Sequence, residues 1–149
     1  MRYFQGLWIV FALSCLLQGL CVVSCSWPVN FVEICLGLLQ GVRVITLCEH
    51  TSYFPDPSSG NTLFSRCEVR YSSTIIQCGP EGKAESECIV DGGDMPLEVL
   101  SGVQGVEVRG VTFRNTHSEQ ATVRIHSDSQ VVFQNCIWEV SLYMNGFLS

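Results

Sequence analysis

Basic residues are scarce in this sequence: 8 lysines and arginines stand against 14 aspartates and glutamates, for a formal net charge of −6. Nucleic acids and anionic membranes are bound through basic surfaces, so this balance argues against both as partners. No Asn-x-Ser or Asn-x-Thr acceptor occurs, which excludes N-glycosylation. Only 15% of the residues are charged and 47% are hydrophobic, so long disorder is not expected. The 149 residues suffice for one domain.

Motifs for catalysis and for metal binding are missing as well. No Gly-x-Ser-x-Gly elbow and no phosphate-binding glycine loop occurs. The histidines His50, His117 and His126 lack metal-ligand spacing with cysteine or with one another. Asp91 and Asp94 could contribute oxygens to a calcium ion, although turn chemistry explains this pair more simply. The sequence therefore predicts no catalytic residue, no metal site and no cofactor.

Cysteine, in contrast, is abundant, with nine residues that indicate an oxidising compartment if the chain is exported. A positive N-terminal end, the apolar run Leu7–Leu17 and the small residues Ser24 and Ser26 predict a signal peptide over residues 1–26. An uncleaved membrane anchor is the alternative, because apolar character resumes a few residues after the run. We expect cleavage, and hence a secreted domain over residues 27–149 that is no longer attached to the membrane.

Cleavage would leave six cysteines, an even number that permits full pairing in 15 ways. Cys78 and Cys88 bracket a polar excursion with a Gly-Pro-Glu-Gly start, and a bond between them would stabilise the fold by about 2–3 kcal/mol. This pair is our first prediction. A Cys48–Cys67 bond, closing a proline-rich loop, is the second. Cys136 is expected to stay unpaired among apolar side chains.

The mature chain begins with a predicted amphipathic helix over residues 30–40, ended by Gly41 in the left-handed conformation. An alternating β-branched segment over residues 42–47 predicts a strand, and the proline-rich stretch from His50 to Gly60 predicts a loop. Beyond Cys67, Gly, Asp, Asn, Ser and Pro separate a series of short predicted strands. They are Thr74–Gln77, Cys88–Val90, Leu97–Leu100, Val106–Phe113, Ala121–His126 and Val131–Trp138. Such a series is typical of a sandwich, a barrel or a solenoid.

An internal repeat favours the solenoid. A shift of 25 residues places Val106 on Val131, Val108 on Phe133 and Gly110 on Asn135, with another alternating strand between the copies. Glycine and asparagine both tolerate the left-handed bend that a corner requires. The predicted fold is all-β, a right-handed parallel β-helix with coils of about 25 residues and an N-terminal capping helix. The C-terminal end has no recognisable cap, which indicates either self-association through this end or a truncated chain.

Outward positions on these strands supply the candidate binding residues. Arg109, Arg124 and His126 are expected to point away from the core, where cations could bind an acidic polysaccharide. Glu107 and Glu139 offset their charge, the residues are expected on different strands and hence different faces, and ordinary solvated positions explain all three more simply.

The order of segments resembles a known superfamily. The helix is followed by V-R-V-I-T-L-C, I-I-Q-C-G-P-E-G, E-C-I-V-D-G-G and V-E-V-R-G-V-T-F-R-N, over about residues 30 to 140. This layout is similar to secreted right-handed β-helix proteins of the pectin-lyase-like superfamily. The shared motifs are packing motifs, so the resemblance implies a fold and no activity.

A shorter resemblance, to pectin methylesterases, covers Gly110 to Tyr143. G-V-T-F-R-N-T, Q-A-T-V-R, C-I-W and L-Y follow the order of that family's segments. The resemblance implies oxyanion binding by Gln120 and a matching arginine at Arg124. Where the family has the acid–base Asp of Q-D-T-L this chain has Val140, which cannot transfer a proton, and the chain stops before the family's later nucleophilic Asp.

Two classes of function follow. The first is a noncatalytic secreted β-helix module that serves as a scaffold or binds extracellular polysaccharide, with Gln120, Arg124, His126 and Arg109 as candidate contacts. The second is a carbohydrate-active enzyme of the pectin esterase or lyase type, incomplete in this chain. The absence of the catalytic carboxylates of pectin-active enzymes favours the noncatalytic module.

Overall fold

The computed structural model describes residues 20–22, 31–55, 66–92, 96–114 and 122–139. Within these ranges the chain forms one α-helix, one short 3-10 helix and twelve strands. The helices are α1 (Phe31–Leu39) and the 3-10 helix Ala84–Ser86. The strands are β1 (Leu20–Val22), β2 (Val44–Leu47), β3 (Thr51–Tyr53), β4 (Cys67–Val69), β5 (Ile75–Cys78), β6 (Cys88–Asp91), β7 (Leu97–Val99), β8 (Val106–Arg109), β9 (Val111–Arg114), β10 (Val123–Ile125), β11 (Val131–Gln134) and β12 (Ile137–Glu139).

The strands form three sheets in which every pairing is parallel. Sheet A has the order β1-β2-β5-β8-β11, sheet B the order β3-β6-β9-β12 and sheet C the order β4-β7-β10. The chain visits the sheets in the order C, A, B and then returns to C, so β4–β5–β6, β7–β8–β9 and β10–β11–β12 are successive coils. The prediction of a parallel β-helix is confirmed.

The repeat of 25 residues is confirmed in the last two coils. Val131 pairs with Val106 and Phe133 with Val108, as the shift predicts. The corner between sheets A and B is short in both coils, and the residue that follows the sheet A strand has a positive φ, 69° at Gly110 and 54° at Asn135. Any larger residue at position 110 would clash with the preceding coil, because its Cβ atom would lie 2.6 Å from the Lys83 carbonyl oxygen.

Upstream, the period is longer than predicted. Ile75 pairs with Glu107, which is 32 residues further along the chain. The reason is the excursion over residues 79–87, which replaces the short corner with a turn and the 3-10 helix. The loop predicted from His50 to Gly60 is also partly wrong, because β3 occupies residues 51–53 and adds a strand to sheet B.

The core lies inside the coils, and α1 covers one end of it. Val106 and Val108 are 0% exposed, and α1 buries Phe31, Ile34 and Leu38 against the interior. The helix contacts β4 and β2, so the predicted capping helix is present. At the opposite end, the last described coil leaves apolar side chains exposed, namely Ile125, Val132, Ile137 and Trp138. Self-association through this end stays a prediction.

One of the two predicted disulfides is present and the other is wrong. Cys78 and Cys88 are bonded across the base of the excursion. Cys67 is bonded to Cys35 instead of Cys48, because α1 packs against β4 and brings both buried thiols together with 4.5 Å between their Cα atoms. Cys48 is disulfide-bonded as well. Cys136 is a free thiol, half-buried against the core.

The segment predicted as a signal peptide contains β1, which pairs with residues 44–46 of β2. Most of residues 1–26 lie outside the described ranges. Cleavage after Ser26 and the domain boundary at residue 27 stay predictions.

Candidate functional site

The outer face of sheet C carries a row of three charged side chains. Glu68, Glu98 and Arg124 share one register position on β4, β7 and β10. Neighbouring parallel strands are about 4.8 Å apart, so the three side chains lie side by side. We call this row and its flanking basic residues the Glu98 cluster, which consists of Arg66, Glu68, Arg70, Glu98, Arg124 and His126.

Glu98 is the centre of the cluster, and its side chain is only 6% exposed although it points away from the core. The Oε1 atom lies 2.6 Å from Nε2 of His126, and the Oε2 atom lies 3.0 Å from Nε of Arg66. These two side chains therefore cover the carboxylate as well as pair with it. A buried carboxylate without such partners would be strongly destabilising, so the three groups depend on one another.

The same contacts lower the pKa of the Glu98 carboxyl group. The hydrogen bond from His126 is the largest cause, burial acts in the opposite direction, and the charges of Arg66 and Arg124 lower the pKa further. Glu98 is consequently ionised at neutral pH. A general acid needs a raised pKa, so this carboxyl group is unsuited to that role.

Glu68 also pairs with arginine. Its Oε2 atom lies 2.6 Å from Nη2 of Arg70, and Arg66 approaches its Oε1 atom at 3.8 Å. Three arginines and two glutamates give the cluster a net charge of +1 before His126 is counted. In a chain of net charge −6, this is a local positive surface.

The structure brings two of the four predicted binding residues together. Arg124 lies on β10 and His126 directly follows it, both in the Glu98 cluster. Arg109 lies on sheet A, where its Nε atom donates a hydrogen bond to Glu107 Oε2 at 2.9 Å, so it cannot share a site with them. Gln120 lies outside the described residues, and so does Val140.

Sequence reasoning missed Arg66, Glu68, Arg70 and Glu98. The signal that could have found them is alternation, because Cys67 and Val69 are buried and leave the residues around them to face outward. Three residues are too few for that pattern to stand out.

The predicted Asp91–Asp94 turn does not supply two free carboxylates either. Asp91 Oδ2 lies 2.5 Å from Nη2 of Arg114 on the neighbouring strand β9, and Asp94 lies outside the described residues. Among the described residues, no group of three or more His, Cys, Asp or Glu side chains is placed to hold a metal ion.

No protein-family model, curated protein or solved structure matches the chain. The resemblance to pectin-lyase-like proteins is therefore supported at the level of the parallel β-helix alone. In the part of the chain that the structure describes, no helix has the length and apolarity needed to cross a membrane.

Among the described residues, the interior of the coils contains one small cavity. This cavity has a volume of about 20 Å³ and is walled by apolar side chains that include Phe31, Leu47, Val108 and Phe113. It is too small for a ligand and lacks the polar partners that even a water molecule needs. On the outside, the Glu98 cluster combines a buried charged group with exposed arginines.

Proposed function

We propose that the protein is a noncatalytic, secreted β-helix module that binds an anionic extracellular polysaccharide through the Glu98 cluster. The observation that carries the proposal is the grouping of Arg66, Arg124 and His126 around a single buried carboxylate. Arginine presents planar pairs of N–H donors that suit carboxylate and sulfate groups, and three arginines along one face match a repeating polyanion.

Secretion is supported by the disulfides. Cys35–Cys67 and Cys78–Cys88 are bonds of the kind that persist in extracellular proteins. A noncatalytic role is supported by the state of the two clustered carboxylates. Glu68 and Glu98 both pair with arginine, and the pKa of Glu98 is lowered, so no proton donor is available from them.

Binding can be tested by isothermal titration calorimetry of the purified protein with polygalacturonate, with dextran sulfate and with neutral dextran. We expect both anionic polymers to bind and the affinity to fall as salt rises. Arg124→Gln should weaken binding by up to about fivefold, because an exposed charge contact contributes up to about 1 kcal/mol. Arg109→Gln is the matched control, since Arg109 lies on another sheet, and it should leave the affinity unchanged.

Equal losses from the two variants would show that the cluster is not the site. If neither polygalacturonate nor dextran sulfate binds, the proposal is refuted. Methanol release from methyl-esterified polygalacturonate, or cleavage of its chain, would show instead that the protein is an enzyme of the pectin esterase or lyase type.

A further inference from the structure

His126 is held at the edge of the Glu98 cluster by its backbone and its side chain. The backbone N–H donates a hydrogen bond to the Val99 carbonyl oxygen at 3.0 Å, and Nε2 lies 2.6 Å from Glu98 Oε1. The imidazole remains 40% exposed. It is therefore fixed in position and accessible to protons and to a ligand at the same time.

The charged groups around this imidazole come from each strand of sheet C. Glu98 on β7 makes direct contact, and Arg66, which precedes β4, holds the other oxygen of the same carboxylate. Glu68 on β4 and Arg124 on β10 occupy the same register row as Glu98. Asp128 is exposed in the turn after β10.

Protonation of His126 changes the charge of the cluster without breaking it. A neutral imidazole with its proton on Nε2 donates to Glu98, and the imidazolium form donates in the same way. The net charge of the cluster therefore rises from +1 to +2 when the imidazole is protonated.

We propose that the Glu98–His126 pair makes polyanion binding pH-sensitive, with stronger binding on the acidic side because protonated His126 adds a positive charge beside Arg124. This inference rests on the proposed function and adds regulation to the same site. Glu98 is the positioning residue, since it holds the imidazole without contacting the ligand.

The experiment uses dextran sulfate, whose sulfate groups stay charged across the range, so that any pH dependence belongs to the protein. Affinity is measured at pH 5.5 and pH 8.0 for the wild type, His126→Gln and His50→Gln. His50 is the matched control because its imidazole also pairs with a carboxylate, Glu87 at 3.2 Å, on an exposed corner outside sheet C. Far-UV circular dichroism at both pH values verifies that each variant is folded.

We expect the wild type and His50→Gln to bind about threefold to fivefold more tightly at pH 5.5, the effect of one added exposed charge contact. His126→Gln should show the same affinity at both pH values. Binding that is independent of pH in the wild type, or a pH dependence retained by His126→Gln, would overturn this inference and leave the proposed function standing. Absence of binding at both pH values would overturn both.

Discussion

Replacing Val108 by alanine tests the stacking of coils directly. Val108 is 0% exposed and pairs in register with Ile76 in the coil before it and with Phe133 in the coil after it. The change removes two methyl groups from a fully buried site, which costs about 1.6 kcal/mol of transfer free energy. The space left between two rigid neighbours adds a cavity penalty, so we expect a loss of about 2–3 kcal/mol in the free energy of unfolding.

Val132→Ala is the matched control, because Val132 lies on the neighbouring strand β11 and is 42% exposed on the outer face. It should cost about 0.5 kcal/mol or less. Urea denaturation followed by tryptophan fluorescence measures both variants, with unchanged m-values as the sign of an intact two-state transition. Equal losses at the two positions would contradict the alternation of inward and outward side chains on which the β-helix depends.

Three further predictions concern titration and reactivity. The pKa of Glu98 is lowered below its ordinary value of 4.5 in the folded protein. The contribution of this carboxylate to stability is therefore complete above pH 4.5 and is lost as the pH falls further. Urea unfolding from pH 6 to pH 3 should show a steeper loss of stability for the wild type than for Glu98→Gln. Burial raises the pKa of Tyr53 from 10.0 to about 12, so the folded state favours the neutral phenol. The free energy of unfolding should therefore fall by about 3 kcal/mol in all as the pH rises from 10 to 12. Tyr71→Phe should keep this alkaline loss, and a flat wild-type profile would contradict the assignment of the loss to Tyr53. Burial also raises the pKa of the Cys136 thiol, so iodoacetamide should label it slowly at pH 7.5 and rapidly in urea. Cys136→Ser identifies which signal belongs to this thiol. Fast labelling of the folded protein would show that the thiol is exposed.

The fold could be predicted where the corners are short. Gly110 and Asn135 mark short corners of one and two residues, so the spacing of the last two coils stays regular and the alignment of Val106 with Val131 is visible in the sequence. The excursion over residues 79–87 changes the spacing in the coil before them. Periodicity cannot follow an insertion of that kind, because the extra residues lie outside the repeating coil.

The short strands β3 and β4 were missed for a related reason. Each contains three residues, too few to show an alternating pattern. Their place in the sheets is set by pairing with neighbouring coils, which is a tertiary effect.

Two of the six residues of the Glu98 cluster could be predicted from the sequence. Arg124 and His126 could be found as outward positions on one strand. Glu98 lies on the predicted strand Leu97–Leu100 but was not recognised as an outward position, and Arg66 approaches from the coil before it, whose length the sequence does not reveal. The same limitation explains the wrong Cys48–Cys67 pairing, since only the packing of α1 on β4 places Cys35 beside Cys67.

The Cys35–Cys67 bond has a practical consequence for handling the protein. It joins two points 32 residues apart in the chain, so a protease that cuts once between them produces two pieces that stay covalently attached. Such a nicked preparation would migrate as intact material in electrophoresis until a reductant was added. Purity should therefore be judged on reduced samples. A batch that fails to bind but shows a single nonreduced band should be tested for internal cleavage before the loss is attributed to a substitution.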